Sequence, residues 1–496
     1  MAHVRGRSVT ARPARAGWVP WLVSAVAAAV YVAFAVTQWR LLEVPSWDLG
    51  IFTQLAQAYA GLEPPVVTIK GEGFNLLGDH FHPLLALLGP VYRLFPSGLT
   101  LLVVQAVLIA LSAVPLTAVA RDLLGRPRGT AVGVAYAFSW GLQGAVAAQF
   151  HEIAFAVPLL ALSLTAFLRG RWWACALWAA PLVLVKEDLG LTVAALGLVL
   201  WWRGASRLGA GLAVWGAAWF VLTIGVILPA LNPDGTYDYY DRVGTEEQPG
   251  LLSALLGAFV PAEKYVTLLL LVLAAGVVGV RSPLVWLWVP TLAWRFVGNV
   301  EHYWGWDWHY SAVLMPVATA ALLDAVAGPA ARRRAPAGPA ARRRAPAGPA
   351  DAVDREVDPA RPSLSRPRWA DAAVALALAT TLGMTPQTPI ARLADPATYR
   401  PSPRAEGARA ALAAVEPGST VESDIYLMAY LVPRAQVYWV GNHGNPAPDH
   451  VVLDTQGRTW PDLVTDAAAL AESRHPGTSY EVVVDVDGFQ VADRTG

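Results

Sequence analysis

The sequence predicts a mainly α-helical membrane protein, a polytopic bundle of about 11 spans followed by a small C-terminal extracytoplasmic α/β domain. Three observations support this fold class. Of the 496 residues, 55% are apolar and only 15% are charged, whereas about a quarter of a typical soluble chain is charged. The apolar residues gather into stretches long enough to cross a bilayer. The last part of the chain is instead polar and alternates between helix and strand patterns.

Charge and cysteine content exclude several classes of protein. The 37 basic and 37 acidic residues cancel, so net charge gives no reason to expect a nucleic-acid partner. The single cysteine, Cys175, lies in an apolar run, which excludes an intrachain disulfide and a cysteine-rich metal site.

Eleven apolar stretches are predicted to span the membrane, because a crossing helix needs about 20 mostly apolar residues and shorter ones fit inside a bundle. They cover residues 18–37, 99–120, 130–149, 153–168, 172–186, 188–202, 207–228, 264–280, 283–299, 309–327 and 369–386. Four arginines precede the first stretch, but its length and the lack of a clear cleavage site favour an anchor over a signal peptide.

The distribution of arginine and lysine sets the expected orientation, because these residues stay on the cytoplasmic side. With the N-terminus in the cytoplasm, most arginines between the spans fall on the inner side of the plasma membrane. Arginines also flank both ends of residues 172–202, so the chain is expected to reverse at Lys186, Glu187 and Asp188. The C-terminal domain then lies outside the cell.

These patterns divide the chain into five parts. They are a basic cytoplasmic N-terminus at 1–17, a membrane domain at 18–327, a linker at 328–368, a last span at 369–386 and an α/β domain at 387–496. The linker repeats the decapeptide AGPAARRRAP in tandem and is expected to be disordered.

The pattern of the polar C-terminal part predicts a small α/β domain. Helices are predicted near 404–415 and 462–473, strands near 419–422, 435–440 and 450–454, and a final hairpin in VVVDVDGFQVAD. It contains no phosphate-binding glycine loop, so the expected role is a cap or recognition module over the membrane part.

Unusual acids and histidines fall almost entirely on the predicted outer side. Ionisable groups at membrane depth are costly and usually face a cavity or one another, so these clusters predict one polar cavity that opens outward. The residues are Asp48; Asp79, His80 and His82; His151 and Glu152; Lys186, Glu187 and Asp188; Asp238 and Asp241; and His302, Asp307 and His309.

Structural explanations stand beside the functional one. Asp48, Asp79 and Asp188 precede helical runs and are suited to capping them, and Lys186 and Glu187 are suited to neutralising each other. The five aromatic residues between 303 and 310, Trp306 among them, fit a membrane-interface belt and equally a surface on which sugars stack. The belt does not explain the charged residues of that segment.

The outer cluster also offers metal ligands. Asp307 and His309, together with Asp48 or Glu152 from elsewhere in the chain, form an oxygen-rich set with one histidine. Such a set suits Mg²⁺ or Mn²⁺, so a divalent metal is the one cofactor that the sequence brings into consideration.

Several motifs resemble a bacterial multi-pass family catalogued as domain of unknown function 2079. They are WDLGIFTQ, GDHFHPLLALLGPVYRLFPS, QGAVAAQFHEIAFAVPLL, LVKEDLGL and WHYSAVLMP, and the resemblance covers roughly residues 18–326. The family is in turn distantly similar to the C-type fold of integral membrane glycosyltransferases, which use polyprenyl-phosphate sugar donors on the outer face.

That resemblance implies roles for individual residues. Asp48 would be the essential acid of the first outer loop, as general base or metal-associated carboxylate, with Asp79 or Glu152 as a second acid. Lys186 and His309 would be candidates for the donor phosphate. The other polar residues at the cavity are expected to bind substrate: His80, His151, Glu187, Asp188, His302 and Trp306.

The leading hypothesis is therefore a glycosyltransferase that moves a sugar from a polyprenyl-phosphate donor to an extracytoplasmic glycan or protein. Its expected partners are membrane lipids, this donor and the acceptor. One alternative is a transporter or flippase with the same cavity, although no repeat of the span pattern is visible. Another is a non-enzymatic assembly or sensor protein whose outer domain binds a partner.

Overall fold

The structure is a computed structural model. It describes residues 17–45, 47–237, 239, 257, 259–332, 368–457 and 464–496, without the side chains of residues 328–332. The predicted N-terminus at 1–17 and the linker at 328–368 lie almost wholly outside the described residues, as do Asp238 and Asp241.

Helices make up most of the described chain. In order, the α-helices are α1 (Val19–Arg40), α2 (Trp47–Gly61), α3 (Leu88–Leu94), α4 (Gly98–Leu111), α5 (Ala113–Leu124), α6 (Arg126–Ala137), α7 (Trp140–Ala147), α8 (Ile153–Leu168), α9 (Trp172–Ala179), α10 (Leu189–Trp202), α11 (Ser206–Leu222), α12 (Leu228–Leu231), α13 (Ala262–Ala274), α14 (Trp288–Val297), α15 (Glu301–Trp304), α16 (Leu314–Arg332), α17 (Arg368–Met384), α18 (Ala405–Ala414), α19 (Met428–Leu431) and α20 (Ala467–Arg474). The strands are β1 (Thr420–Ser423), β2 (Gln436–Trp439), β3 (His450–Asp454), β4 (Tyr480–Val486) and β5 (Phe489–Arg494).

Fewer helices reach full membrane length than the eleven predicted stretches. Among the described residues, three are long and apolar enough to span: Val19–Arg40, Gly98–Leu124 and Ser206–Leu231. A fourth is added if Glu301–Ser311 and Leu314–Ala327, which meet at a 68° bend, count as one span. The remaining predicted stretches form shorter or interrupted helices.

Local sequence explains the interruptions. The predicted span at 130–149 is divided at Phe138 and Ser139, where the backbone leaves the helical region between α6 and α7. Proline at Pro181 opens a 3-10 turn that ends α9 early, because a proline ring removes a backbone donor and crowds the preceding turn. Short helices of this kind bury their apolar side chains against one another in a large common core.

Glycines allow α10 and α11 to pack closely as a helical hairpin. A Cβ added at Gly197 would lie 2.7 Å from the carbonyl oxygen of Gly209, and one at Gly190 would lie 2.7 Å from the carbonyl oxygen of Gly216. Small residues at a helix interface let two backbones approach and gain van der Waals contact. This hairpin holds the turn at Lys186–Asp188 in place.

The Gly197→Ala substitution is expected to destabilise the protein by about 1–3 kcal/mol, because the added methyl group meets backbone atoms that cannot move aside. Gly211→Ala, on the same hairpin, is the matched control, since a Cβ there meets nothing within 4 Å. Thermal unfolding in detergent measures both variants. Equal melting temperatures for the two would contradict this packing.

The C-terminal part forms a five-stranded sheet in the order β2-β1-β3-β5-β4. Strands β2, β1 and β3 are parallel, whereas β5 pairs antiparallel with β3 and β4. The predicted helices, three strands and final hairpin of this region are all present within a few residues of their expected positions. The alternation of apolar residues and the positions of turn residues in the sequence predicted these elements.

This domain docks directly on α2. The Gln54 side-chain amide donates to the carbonyl oxygen of Val437 in β2 at 2.8 Å. Gly50 allows the side chain of Met428 to approach, since a Cβ at Gly50 would lie 2.7 Å from the Met428 sulfur. One apolar core therefore runs from α1 and α2 into the C-terminal domain. We call the end of the bundle that carries this domain the domain side.

Candidate functional site

Asp48 lies in the first turn of α2, where a carboxylate is favoured by the positive end of the helix dipole. Its side chain is 44% exposed, and its Oδ2 lies 3.4 Å from Nε2 of His151, which is buried. The preceding residue, Trp47, packs edge-on against Trp439 of the C-terminal domain, with ring centroids 4.4 Å apart. The bundle and the domain thus hold Asp48 from both sides.

The hydrogen-bond network fixes the proton on the His151 ring. Nδ1 lies 3.2 Å from the carbonyl oxygen of Gln149, and a carbonyl only accepts, so Nδ1 carries a hydrogen. Nε2 then faces the Asp48 carboxylate at 3.4 Å, within ion-pair distance.

The backbone around His151 is strained and firmly held. Gln149 has a φ of 69°, in the left-handed region that non-glycine residues rarely adopt. The side chain of Gln105 fixes this turn, because its amide nitrogen donates to the carbonyl oxygens of Ala145 and Gln149 and its oxygen accepts from the His151 backbone N–H. Strain of this kind persists only where the surroundings impose it.

Asp48 ends a row of four ion pairs on the domain side. The pairs are Lys70–Asp79 at 3.3 Å, His80–Glu187 at 2.7 Å, Lys186–Glu152 at 2.7 Å and His151–Asp48 at 3.4 Å. Consecutive residues join one pair to the next, through Asp79 and His80, Glu187 and Lys186, and Glu152 and His151. The row therefore alternates in charge and links five separate segments of the chain.

The His80–Glu187 pair is the most completely bonded of the four. Glu187 Oε1 lies 2.7 Å from His80 Nδ1, and Oε2 accepts from the Phe81 backbone N–H at 3.1 Å. Burial by itself lowers the pKa of His80, but the Glu187 carboxylate outweighs it and raises that pKa. Burial likewise raises the pKa of Glu187, and the attraction of His80 reverses the shift and lowers it.

These opposite shifts predict a pH window for the turn at 79–82. Stabilisation by His80 is complete below its ordinary pKa of 6.5 and is lost as pH rises through the raised value. Stabilisation by Glu187 is complete above 4.5 and is lost as pH falls through the lowered value. Hydrogen exchange at the Phe81 amide, corrected for its intrinsic pH dependence, is expected to be slowest between the lowered pKa of Glu187 and the raised pKa of His80. Glu187→Gln should flatten the profile, and a wild-type profile indistinguishable from that of Glu187→Gln would contradict the pairing.

Aromatic and cationic residues from the later part of the chain complete the site. The His309 ring stacks on His151, with centroids 3.5 Å apart and planes inclined by 21°. The Trp294 indole donates to Asp188 Oδ2 at 2.9 Å. Arg295 is fully buried and donates to the carbonyl oxygens of Tyr303 and Gly305 and to the hydroxyl of Ser311, so it fixes the segment that leads to His309.

Five buried polar atoms of this region have no hydrogen-bond partner in the described part of the chain. Native proteins leave few such atoms, and each calls for water or a ligand. The atoms are His82 Nδ1, Gln149 Oε1, His151 Nε2, Asp188 Oδ1 and His309 Nδ1. His151 Nε2 is within ion-pair distance of Asp48 but is not aligned for a hydrogen bond. Both donors and acceptors are therefore available around Asp48.

The structure brings together most of the residues that the sequence singled out, at one end of the bundle. They are Asp48, Asp79, His80, His151, Glu152, Lys186, Glu187, Asp188 and His309. Helix capping does not account for the acids: Asp79 pairs with Lys70, and Asp188 precedes α10 without a side-chain capping bond.

Three predicted residues stand apart from this group. The side chains of His302 and Asp307 are exposed, and Trp306 packs at the edge of the apolar bundle core. The His302 ring lies near other aromatic rings, with its centroid 6.3 Å from that of Tyr310. Their place in a substrate site stays a prediction.

The described residues do not fit the predicted metal site. They contain no group of three or more His, Cys, Asp or Glu side chains arranged to hold an ion. Asp307 is exposed while His309 is buried against His151. We therefore derive no chemical step through a metal.

Sequence reasoning missed several residues that build the site. Gln105 and Arg295 are polar residues inside apolar stretches, which is itself a signal of a buried role. Tyr239 donates to Asp79 at 3.2 Å and stacks on His80, and nothing in its motif indicated that contact. Lys70, which pairs with Asp79, carries no signal in its local sequence that would have marked it.

Comparison with solved structures identifies the fold of the protein. The crystal structure of ArnT from Cupriavidus metallidurans bound to undecaprenyl phosphate matches 97% of this chain and 98% of that chain, with a TM-score of 0.52 and 16% identity. At this identity the likeness establishes the fold alone. The protein therefore shares the fold of that structure, and its polar site lies on the domain side.

Residues 38–491 match the family described as Predicted membrane protein (DUF2079), and the chain belongs to that family. The resemblance expected from the motifs is therefore confirmed. It extends beyond residue 326, where it was expected to end, and includes the C-terminal domain. No curated protein sequence matches the chain.

Proposed function

We propose that this protein is an integral membrane glycosyltransferase that moves a sugar from a polyprenyl-phosphate donor to a glycan or protein acceptor outside the cell. One observation carries the proposal: the half-exposed Asp48 carboxylate, held by buried His151, lies at the end of a row that also contains the buried ammonium of Lys186. A base and a cation on one face suit displacement of a phosphate from a sugar.

The likeness to ArnT supports a polyprenyl phosphate as the lipid partner, because that protein was crystallised with undecaprenyl phosphate. The fold also supports a site at the membrane surface, where such a lipid presents its headgroup. We place the domain side outside the cell and the N-terminus in the cytoplasm, following the arginine distribution, with the short helices completing the eleven predicted crossings.

In the proposed reaction, Asp48 takes the proton of the acceptor hydroxyl, and the oxygen of that hydroxyl attacks the anomeric carbon of the donor sugar. The bond between that carbon and the phosphate oxygen breaks, and Lys186 stabilises the charge on the departing lipid phosphate. The His151 ring lies 3.4 Å from the Asp48 carboxylate and helps to position it. The five unpaired buried atoms suit the hydroxyl groups of the sugar, which both donate and accept.

A transfer assay in vesicles tests this function. Vesicles with the purified protein receive a panel of radiolabelled polyprenyl-phosphate sugars and a crude envelope extract as acceptor, with and without chelator. Label is expected to leave one donor with the wild type and with Asp122→Asn, whose carboxylate is exposed and paired with Arg169. It should stay on the donor with Asp48→Asn.

The assay also separates the alternative function. A transporter or flippase is favoured by the helix pair bent by 68° around residues 311–314, because transporters use broken helices. If no donor is consumed while a lipid-linked sugar crosses the bilayer of the vesicles, the flippase hypothesis replaces the transferase hypothesis. Loss of transfer on chelation would reopen the question of a metal.

A further inference from the structure

Two neighbouring carboxylates of the ion-pair row are held very differently. Both oxygens of Glu187 are bonded, one to His80 and one to a backbone N–H. Glu152, 2% exposed, accepts only from Lys186 among the described residues. Among the described residues, one flexible side chain is therefore the only hydrogen-bond donor to the Glu152 carboxylate, whereas Glu187 is fixed by a ring and the backbone.

Lys186 keeps capacity for a second partner. An ammonium group has three N–H donors, and in the described chain Lys186 uses one of them, toward Glu152 at 2.7 Å. Its side chain is 12% exposed, whereas that of its partner is 2% exposed. A mostly buried cation with two further N–H donors is suited to an anion.

An anion at Lys186 changes the electrostatic balance of Glu152. Burial by itself raises the pKa of the Glu152 carboxyl, but Lys186, helped by His80 and His151, holds it well below its usual value. A buried carboxylate that loses its partner costs several kcal/mol as an ion and takes up a proton instead.

The remaining groups around Glu152 do not replace Lys186. The charged and titratable side chains that face it are His151 on its own segment, His80 and His82 from the turn at 79–82, Lys186 and Asp188 from the turn before α10, and Tyr310 from the segment before α16. His80 is engaged by Glu187, and His151 by Asp48. His82 is buried with Nδ1 unpaired and carries no compensating bond.

We propose that Glu152 is the displaceable counter-ion of an anion site at Lys186, and that a phosphodiester headgroup which binds there does so with uptake of a proton by Glu152. Charge balances: the Lys186–Glu152 pair, one anionic phosphodiester and one proton give a Lys186–phosphate pair and a neutral Glu152 carboxyl. The identity of the anion rests on the proposed function, whereas the coupling rests on the geometry alone.

Calorimetry on the full-length protein in nanodiscs tests the coupling. The probe is methyl citronellyl phosphate, a phosphodiester with one methyl and one citronellyl group. It carries one negative charge and does not titrate near neutral pH. Heats of binding in Tris and in Pipes, buffers with different ionisation enthalpies, give the number of protons taken up. We expect about one proton, and an affinity that falls about tenfold per pH unit above neutrality.

Variants identify the group that takes the proton. Glu152→Gln should bind the probe more tightly than the wild type, without proton uptake and without the pH dependence. The Lys186→Met/Glu152→Met double variant removes both charges, so it should fold but not bind, and its thermal unfolding serves as the folding control. Dimethyl phosphate, as a second probe, shows whether a free anion suffices or the lipid chain is needed.

Binding by the wild type without proton uptake would overturn the proposal, and so would undiminished uptake in Glu152→Gln. Absence of binding of both probes would remove the anion site itself. The proposed function fails separately: coupled binding of the probe together with no consumption of any donor would refute the transferase and leave this inference standing.

Discussion

Asp48→Asn is expected to lower the turnover of the glycosyl transfer by a factor of about 10²–10⁴, the usual contribution of a positioned general base. Asparagine matches aspartate in size, so the packing of α2 against the C-terminal domain is retained. The amide cannot take the proton of an acceptor hydroxyl. The loss should therefore appear in kcat, with little change in KM for the donor.

The measurement is the initial rate with the donor that the panel identifies, at saturating donor and acceptor. Asp122→Asn makes the same chemical change in an exposed ion pair with Arg169 and should keep the wild-type rate. A rate for Asp48→Asn within tenfold of the wild type would remove Asp48 from the role of base. Equal melting temperatures of the two variants would exclude a folding effect.

The sequence predicted which residues meet at the site better than it predicted how they pair. In a chain with only 15% charged residues, isolated acids and histidines next to apolar runs are conspicuous. Counting spans then placed Asp48, Glu152 and Lys186 on one side of the membrane. The pairing of Lys186 with Glu152, across 34 residues of sequence, appears only in the tertiary structure.

Membrane spans were harder to predict than the α/β domain. Apolar composition cannot tell one long helix from two short ones, so the interruptions at Ser139 and Pro181 reduced the number of full-length spans. In the C-terminal domain, strand alternation and turn residues mark the boundaries locally. The docking of that domain on α2 depends on the fit between Gly50 and Met428, which no local pattern encodes.

The exposed residues His302 and Asp307 illustrate a further limit. Polar residues within an aromatic segment signalled a function, but the signal did not say which side chains turn inward. The structure turns His309 toward His151 and leaves Asp307 exposed. The residue that orients this segment, Arg295, lies in a different element, α14.

Arg295→Met is expected to destabilise the protein by about 3–5 kcal/mol. Arg295 is fully buried, and its loss removes the hydrogen bonds that it donates to the carbonyl oxygens of Tyr303 and Gly305 and to the Ser311 hydroxyl. Each buried polar group left unpaired costs about 1–3 kcal/mol. Methionine fills much of the volume, so the lost hydrogen bonds dominate over any cavity. Because these bonds hold the segment that leads to His309, the stack of His309 on His151 should loosen as well.

Thermal unfolding followed by tryptophan fluorescence measures the loss, and hydrogen exchange at residues 303–311 locates it. Arg281→Met is the matched control, since Arg281 is exposed and its removal should change neither observable. Arg295→Lys keeps the charge but lacks the planar guanidinium that reaches three acceptors at once. It should therefore be little more stable than Arg295→Met. Full recovery by lysine would mean that charge, rather than the geometry of these three bonds, sets the contribution of Arg295.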